Sequence, residues 1–347
     1  VRTALSLNGQ WKFKLYRNPQ SVDHLFPRVD DEGSDSWDEI AVPGVWELQG
    51  YGTPYYLAKT YPPQLKVKAS QIPSISETDN PTGAYVTNFT LPDNFKDQRI
   101  YLRFGAVKSA FQVWINGIQA GFSKASMTSH EFEITPWIKP GPNKVAVLVH
   151  KYSDGTYLED QDMWFFGGIC RDVTVFCEPK TYIFDAFASC DLIHDYTDAQ
   201  FKLDLTLKGS PDPELVLKVF LSYTNDELIY QGKLESLTPH IEKLIKKPDL
   251  WTAETPSLYT VKLYLYHGKT LIQAKKFKFG FRSIEIKDTK FLVNGRSIKF
   301  KGVNRHDFDP ELAWGISKET RLKDLLIMKA HNINAIRTCL LYTSRRG

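Results

Sequence analysis

From Trp11 to about Glu178 apolar and polar residues alternate in short runs, as in Arg99-Ile-Tyr-Leu-Arg-Phe104, Phe111-Gln-Val-Trp-Ile115 and Lys144-Val-Ala-Val-Leu-Val-His150. A period of two over such lengths predicts strands with one buried face. The turn signals Asn116-Gly117, Pro140-Gly141-Pro142-Asn143 and Asp154-Gly155 separate these runs at the spacing of an all-β sandwich or jelly roll. Between Tyr61 and Thr82 no period holds, and so long a stretch is expected to be an exposed functional loop.

A second β block begins near Thr181, with Phe201–Leu207, Leu215–Leu221, Tyr259–Tyr266 and Ala274–Phe279 as strands. Several strands in about 100 residues fit an immunoglobulin-like sandwich, although the Cys…Trp…Cys spacing of true immunoglobulins is missing. After Gly280 the period changes. Ser297–Val303 reads as a strand, Ser317 as the N-cap of a helix carrying Leu322, Leu325 and Leu326 at helical spacing, and Ile333–Arg337 as a second strand. A β-α-β unit implies a parallel pair that must be covered or closed into a barrel, and the chain is expected to stop at the start of that third domain.

Length agrees with more than one core, since 347 residues exceed two ordinary domains. A formal net charge of +4 with dispersed Lys and Arg leaves no footprint for nucleic acid. No apolar run approaches the ~18 residues of a membrane span. The four cysteines, at 170, 177, 190 and 339, fit neither a disulfide framework nor a CxxC metal site and are expected to be reduced. An aromatic content of 13% suits both sheets and the stacking of sugars.

Two clusters can carry chemistry. Asn304-Arg305-His306-Asp307 follows the first barrel strand and Arg337 ends the second, which is where barrel enzymes place functional groups. Taken alone, Arg305 and Asp307 read equally as an ordinary ion pair beside a solvated His306. The second cluster, Glu159-Asp160-Gln161-Asp162-Met163-Trp164, puts three carboxylates beside an aromatic ring. An acidic surface loop is the plain alternative, but carboxylates so close repel unless a hard cation or sugar hydroxyls share their oxygens.

The motifs Leu7-Asn-Gly-Gln-Trp11, Val42-Pro-Gly-Val-Trp46, Asn80-Pro-Thr-Gly83, Trp114-Ile-Asn-Gly117, Ser153 through Trp164, Gly168-Ile-Cys-Arg-Asp-Val173, Gly280-Phe-Arg282 and Lys301-Gly-Val-Asn-Arg-His306 occur in order along the chain. In these the chain resembles glycoside hydrolase family 2, and within it the large bacterial enzymes that hydrolyse β-galactosides. The resemblance implies a mainly β chain. Residues 1–180 would form a jelly-roll sugar-binding domain, 181–281 an immunoglobulin-like sandwich, and 282–338 the start of a (β/α)8 catalytic barrel.

It also implies that Asp162 binds galactose and a sodium ion, that His306 reaches the sugar at the reaction centre, that Arg337 supports the site and that Trp164 lines it. The sugar-binding Asn of relatives falls at Ala58 here, which puts substrate preference in question. The paired catalytic Glu residues and the magnesium ligands of the family are expected beyond Thr338, so the chain by itself is expected to be inactive. Cys339 to Gly347 departs from the family's Ser-His-Tyr-Pro continuation and is expected to be sequence from a cloning or assembly junction. The expected partner is a β-galactoside, with no nucleic acid or membrane, in a cytoplasmic homo-oligomer at full length. β-Glucuronidase or β-mannosidase activity within the family, and a non-catalytic carbohydrate-binding module, are the alternatives.

Overall fold

The computed structural model describes residues 4–28, 31–34, 36–57, 65, 69–159 and 162–338. Ala58, Asp160, much of the stretch after Tyr61 and the segment 339–347 therefore lie outside the described residues. Contacts divide the chain into two units, one of Ala4–Cys177 with the chain from Val303 onward, the other centred on Glu178–Gly302.

In the first unit a six-stranded sheet runs in the order Asp38–Val42, Gly9–Tyr16, Thr82–Thr90, Pro142–His150, Ala110–Ile115 and Ile118–Ser123. A four-stranded sheet is built from Ala4–Ser6, Val173–Glu178, Arg99–Phe104 and His130–Glu133. Alternation decides which side chains enter the core. In Arg99–Phe104 the residues Ile100, Leu102 and Phe104 are buried while their neighbours are half-buried. With Trp11, Phe13, Phe111, Val113 and Val147 they form one apolar core, as a mainly β sandwich requires. Close approach explains two glycines. A Cβ at Gly83 would meet the Trp46 ring at 2.6 Å, and one at Gly167 would meet it at the same 2.6 Å. The Trp46 indole thus fills space that only glycine leaves, and its Nε1 donates to the Tyr85 hydroxyl.

The second unit is a sandwich of a three-stranded sheet, Tyr182–Ile193, Asp198–Lys208 and His240–Ile245, and a four-stranded one. The latter runs Asp226–Lys233, Leu215–Ser222, Tyr259–His267 and Thr270–Phe279. Strict alternation in Leu215–Ser222 buries Leu215, Leu217, Val219 and Leu221 against Phe201 and Leu263.

Beyond Gly280 the structure corrects the expected strand Ser297–Val303. Arg296–Ser297 instead closes a three-stranded sheet with Ile284–Lys287 and Lys290–Val293, and the barrel strand is Gly302–Arg305. Asn304 and Arg305 accordingly lie within that strand, and His306 and Asp307 follow it. The turns that bend the hairpin back, Asp288-Thr289 and Asn294-Gly295, all have positive φ, which suits two-residue hairpin loops. Helix Lys318–Ala330 forms as expected, with Ser317 Oγ accepting from Thr320 N at 3.0 Å. Strand Ala335–Thr338 pairs with Gly302–Arg305. The helix buries none of its residues, and Leu322, Leu325, Leu326 and Ile327 are exposed. No disulfide joins Cys170, Cys177 or Cys190. Among the described residues no helix is long and apolar enough to cross a membrane.

Candidate functional site

Asp162 immediately precedes strand Met163–Phe165, which pairs antiparallel with Tyr55–Leu57 so that Trp164 faces Tyr56. Met163 and Phe165 turn inward and are buried, so the pleat turns Trp164 outward, at 37% exposure. Tyr56 meets Trp164 edge-on at 5.4 Å, and its hydroxyl donates to Asp162 Oδ1 at 2.6 Å. That hydrogen bond raises the Tyr56 pKa above its usual 10.0, because ionising the phenol would set a second negative charge against the carboxylate. Asp162 is therefore aimed by a neighbour 106 positions away in sequence. Glu159 turns elsewhere, its Oε1 accepting from Ser126 N at 2.9 Å. The two described carboxylates of the acidic cluster have separate partners, and among the described residues no group of three or more His, Cys, Asp or Glu is placed to hold a metal.

Trp164 also stacks on Phe166 at 5.8 Å with planes 8° apart, and Phe166 stacks on Phe308 at 6.5 Å and 14°. This column joins the Asp162–Trp164 segment to residues just past His306, within one unit. Trp314 closes the column from the side, 2% exposed and edge-on to Phe166 at 5.3 Å, and the buried Lys108 ammonium lies 5.1 Å from its ring.

His306 is exposed at the end of its strand, flanked by two residues that are held fast. Arg305 Nη1 donates to Asp307 Oδ1 at 2.7 Å, while Nε and Nη2 both reach Asp324 Oδ2, at 3.0 and 2.7 Å. The ordinary ion pair anticipated for Arg305 and Asp307 is present, and it does more than pair charge. It ties the strand end to helix Lys318–Ala330, which fixes the backbone from which His306 projects. Arg337 is exposed on the paired strand Ala335–Thr338.

Asp162 and Trp164 are thus brought together, Phe308 in the segment just past His306 stacks in the same column, and Arg337 lies on the neighbouring barrel strand. Tyr56, Phe308 and Trp314 were not singled out from sequence. The only local hint was the aromatic doublet Tyr55-Tyr56.

Residues 4–179 match the sugar binding domain of glycosyl hydrolases family 2, 181–282 match glycosyl hydrolases family 2, and 284–344 match that family's TIM barrel domain. The β-galactosidase of Priestia megaterium is 37% identical over 346 residues, covering 96% of this chain and 33% of the relative. That of Streptococcus thermophilus is 37% identical over 337 residues, covering 96% and 32%. The chain spans about a third of the length of these curated relatives. Among solved structures, Bacteroides uniformis β-glucuronidase superposes with a TM-score of 0.78 at 26% identity, covering 98% of this chain and 39% of the other. Bifidobacterium dentium β-glucuronidase, at 19% identity, 0.76, and 97% and 57% coverage, shares the fold. With every stretch from the first sheet to the barrel strands matched in order, the chain belongs to glycoside hydrolase family 2.

Proposed function

We propose that the chain forms part of a retaining β-galactosidase and supplies one wall of the subsite that holds the galactosyl ring. The observation that carries this reading is the Asp162 carboxylate, aimed by Tyr56 beside the outward Trp164. A carboxylate accepts hydrogen bonds from sugar hydroxyls while an indole covers the apolar face of the ring. His306 donates to or accepts from hydroxyls as positive charge builds at the anomeric centre, and Arg337 supports the same face. Such contacts accelerate the reaction only as far as they tighten in the transition state.

The two carboxylates that break the bond are contributed by sequence outside the 347 residues. One attacks the anomeric carbon as the other protonates the leaving oxygen, and water then releases the sugar with retained configuration. Sodium fits the donor type at Asp162, where a carboxylate oxygen and the Tyr56 phenol oxygen are both hard ligands. Its remaining ligands would come from outside the described residues, as would those of magnesium. When bound, such an ion neutralises the carboxylate and orients a hydroxyl against it.

Identity of 37% to β-galactosidases against 26% to a β-glucuronidase supports the galactoside reading. The charge at Asp162 supports it too, since a uronic acid would set its own carboxylate against this one. The β-glucuronidase reading is favoured instead by the solved neighbours. Steady-state hydrolysis of nitrophenyl β-galactoside and β-glucuronide by the enzyme that carries this chain separates the two. The galactoside is expected to be preferred, with Asp162→Asn raising KM and weakening sodium activation together. Preference for the glucuronide would reverse the assignment. The 347-residue chain alone is expected to turn over neither substrate.

A further inference from the structure

In the Glu178–Gly302 unit two edge strands, Tyr182–Ile193 of one sheet and Thr270–Phe279 of the other, run along the open side of the sandwich. Side chains close that side at one end, where Gln273 Oε1 accepts from Ile183 N at 2.8 Å and Lys275 Nζ donates to the Ile183 carbonyl. Further along, at residues 188–190 and 278–282, an open pocket of about 520 Å³ remains. Its apolar walls are Ala188, Leu258, Phe279 and Ile284, of which Leu258 and Ile284 are 41% and 52% exposed. The Gly280-Phe-Arg282 motif, which the Asp162–Trp164 cluster leaves unused, brings a charge to it.

Arg282 lies over Trp251, its guanidinium carbon 4.5 Å from the ring centre, and both residues line the pocket. The indole is held in place. A Cβ on Gly280 would meet Trp251 Cβ at 2.9 Å, so Trp251 packs directly on glycine backbone. Trp251 N donates to Phe281 O at 2.9 Å, and its carbonyl accepts from Asn294 Nδ2 at 3.1 Å. The Arg282 backbone is tied as well, its carbonyl accepting from Cys190 Sγ at 3.6 Å. Such a surface restricts the guanidinium over it, whose five N–H donors form a planar fork. Among the described residues no acceptor takes those donors, and no Asp or Glu lines the pocket.

Chemistry at the walls narrows the occupant. A cation would meet the Arg282 charge with no acid to offset it. An apolar molecule would strip water from the guanidinium without replacing its hydrogen bonds. A small inorganic anion would leave the apolar walls wet, and a dianion would need a second cation, whereas Lys278 Nζ turns to Thr260 Oγ1 at 2.7 Å. What remains is a monoanion with an apolar body, and the guanidinium fork matches a carboxylate bidentately. The volume agrees, since ligand pockets run from ~300 to ~1,000 Å³.

We propose that this pocket binds an organic carboxylate, its charge on Arg282 and its apolar body against Trp251, Leu258 and Ile284. The site lies in a different unit from the Asp162–Trp164 cluster and does not rest on the galactosidase reading.

The test is calorimetric titration with phenylacetate, with neutral phenylacetamide and inorganic phosphate as controls. It is run on the 347-residue chain and on the longer enzyme that carries it. Phenylacetate is expected to bind both saturably, at least about tenfold more tightly than the amide, as one charge-assisted hydrogen bond implies. Phosphate is expected to bind more weakly than the carboxylate. Acetyl-Ala-Phe, with its free terminal carboxylate, separates a peptide end from a free acid as the source, and the tighter ligand names it. Arg282→Met keeps a stem over the indole without the charge and should weaken binding about tenfold or more; Arg282→Lys keeps the charge without the fork and should fall between. Leu258→Glu sets a negative charge at an exposed wall and should abolish binding, and unchanged melting temperatures will show that the variants keep the fold. Saturable binding of neither carboxylate, equal binding of acid and amide, tighter binding of phosphate, or an Arg282→Met chain that binds as tightly as the parent would overturn the proposal. So would binding by the chain that the longer enzyme lacks, since the rest of the protein would then fill the pocket. None of these outcomes touches the assignment of galactoside hydrolysis.

Discussion

Glu47→Ala is expected to destabilise the first unit by about 3–5 kcal/mol, because it strands the Lys151 ammonium with its side chain 4% exposed. The same substitution takes the acceptor from Gly167 N–H, which Glu47 Oε2 holds at 3.1 Å. Glu47→Gln keeps one acceptor oxygen where Glu47 uses two, Oε1 for the lysine and Oε2 for the Gly167 amide, so one of those donors loses its partner and the change should cost about 1–3 kcal/mol. Glu47→Gln with Lys151→Met removes both charges and should return most of the loss, since a buried pair rarely outdoes a neutral replacement. The coupling between positions 47 and 151 should therefore reach about 2 kcal/mol or more.

Burial already raises the Glu47 pKa above its usual 4.5 against the pull of Lys151. Its contribution to stability is thus fully present below 4.5 and declines as pH climbs through the raised value, a slope that Glu47→Gln should erase. The assay is urea unfolding followed by tryptophan fluorescence. Trp251 is the one tryptophan of the Glu178–Gly302 unit, so the signal reports chiefly the unit that contains Glu47. With a slope of about 2 kcal/mol per molar urea, a loss of about 4 kcal/mol lowers the midpoint by about 2 M. A Glu47→Ala shift below about 0.5 M, or additive effects at the two positions, would refute the claim that this pair is buried and mutually dependent.

Three further outcomes are expected. Burial lowers the His150 pKa from 6.5, so its contribution to stability is present above 6.5 and lost as pH falls through the lowered value; His150→Gln should flatten that acid limb in a pH series of melting temperatures. Ser317→Ala removes the oxygen that caps Thr320 N and should cost helix Lys318–Ala330 about 1 kcal/mol, read as faster exchange of the Thr320 amide proton. Leu322→Lys with Leu326→Lys, on the exposed apolar face of the same helix, should lower the fluorescence of a bound hydrophobic dye, and unchanged dye fluorescence would show that this face is not an accessible apolar patch.

Most strands were legible because burial imposes a period of two. Leu215–Ser222 and Arg99–Phe104 alternate in sequence as they do in exposure. The helix was legible through its cap, since Ser317 precedes leucines at helical spacing. The hairpin after Gly280 was not legible although its turn dipeptides are present, because Ser297–Val303 also reads as one continuous strand. At the candidate site the carboxylate and the indole could be found because they are adjacent in sequence. Tyr56 could not, since its bond to Asp162 spans 106 residues and no local pattern encodes it. Lys151 ends a strand run, where a charged residue ordinarily marks the solvent. Only its pairing with Glu47, 104 residues away, makes its burial tolerable.

Trp314 packs with Val45, Ala106, Met163, Phe166 and Cys170, although the whole of the other unit intervenes between Cys177 and that tryptophan. During synthesis, which proceeds at about 5–20 residues per second, the first sandwich can therefore assemble on the order of ten seconds before the ring that seals it leaves the ribosome. Over that interval a hollow lined by Phe166 and Met163 stands open to water. The nascent chain is consequently most exposed to holdase chaperones and to wrong apolar contacts while the Glu178–Gly302 unit is emerging. Ribosome profiling of chaperone engagement would find that window opening near Cys177 and closing once Trp314 is out.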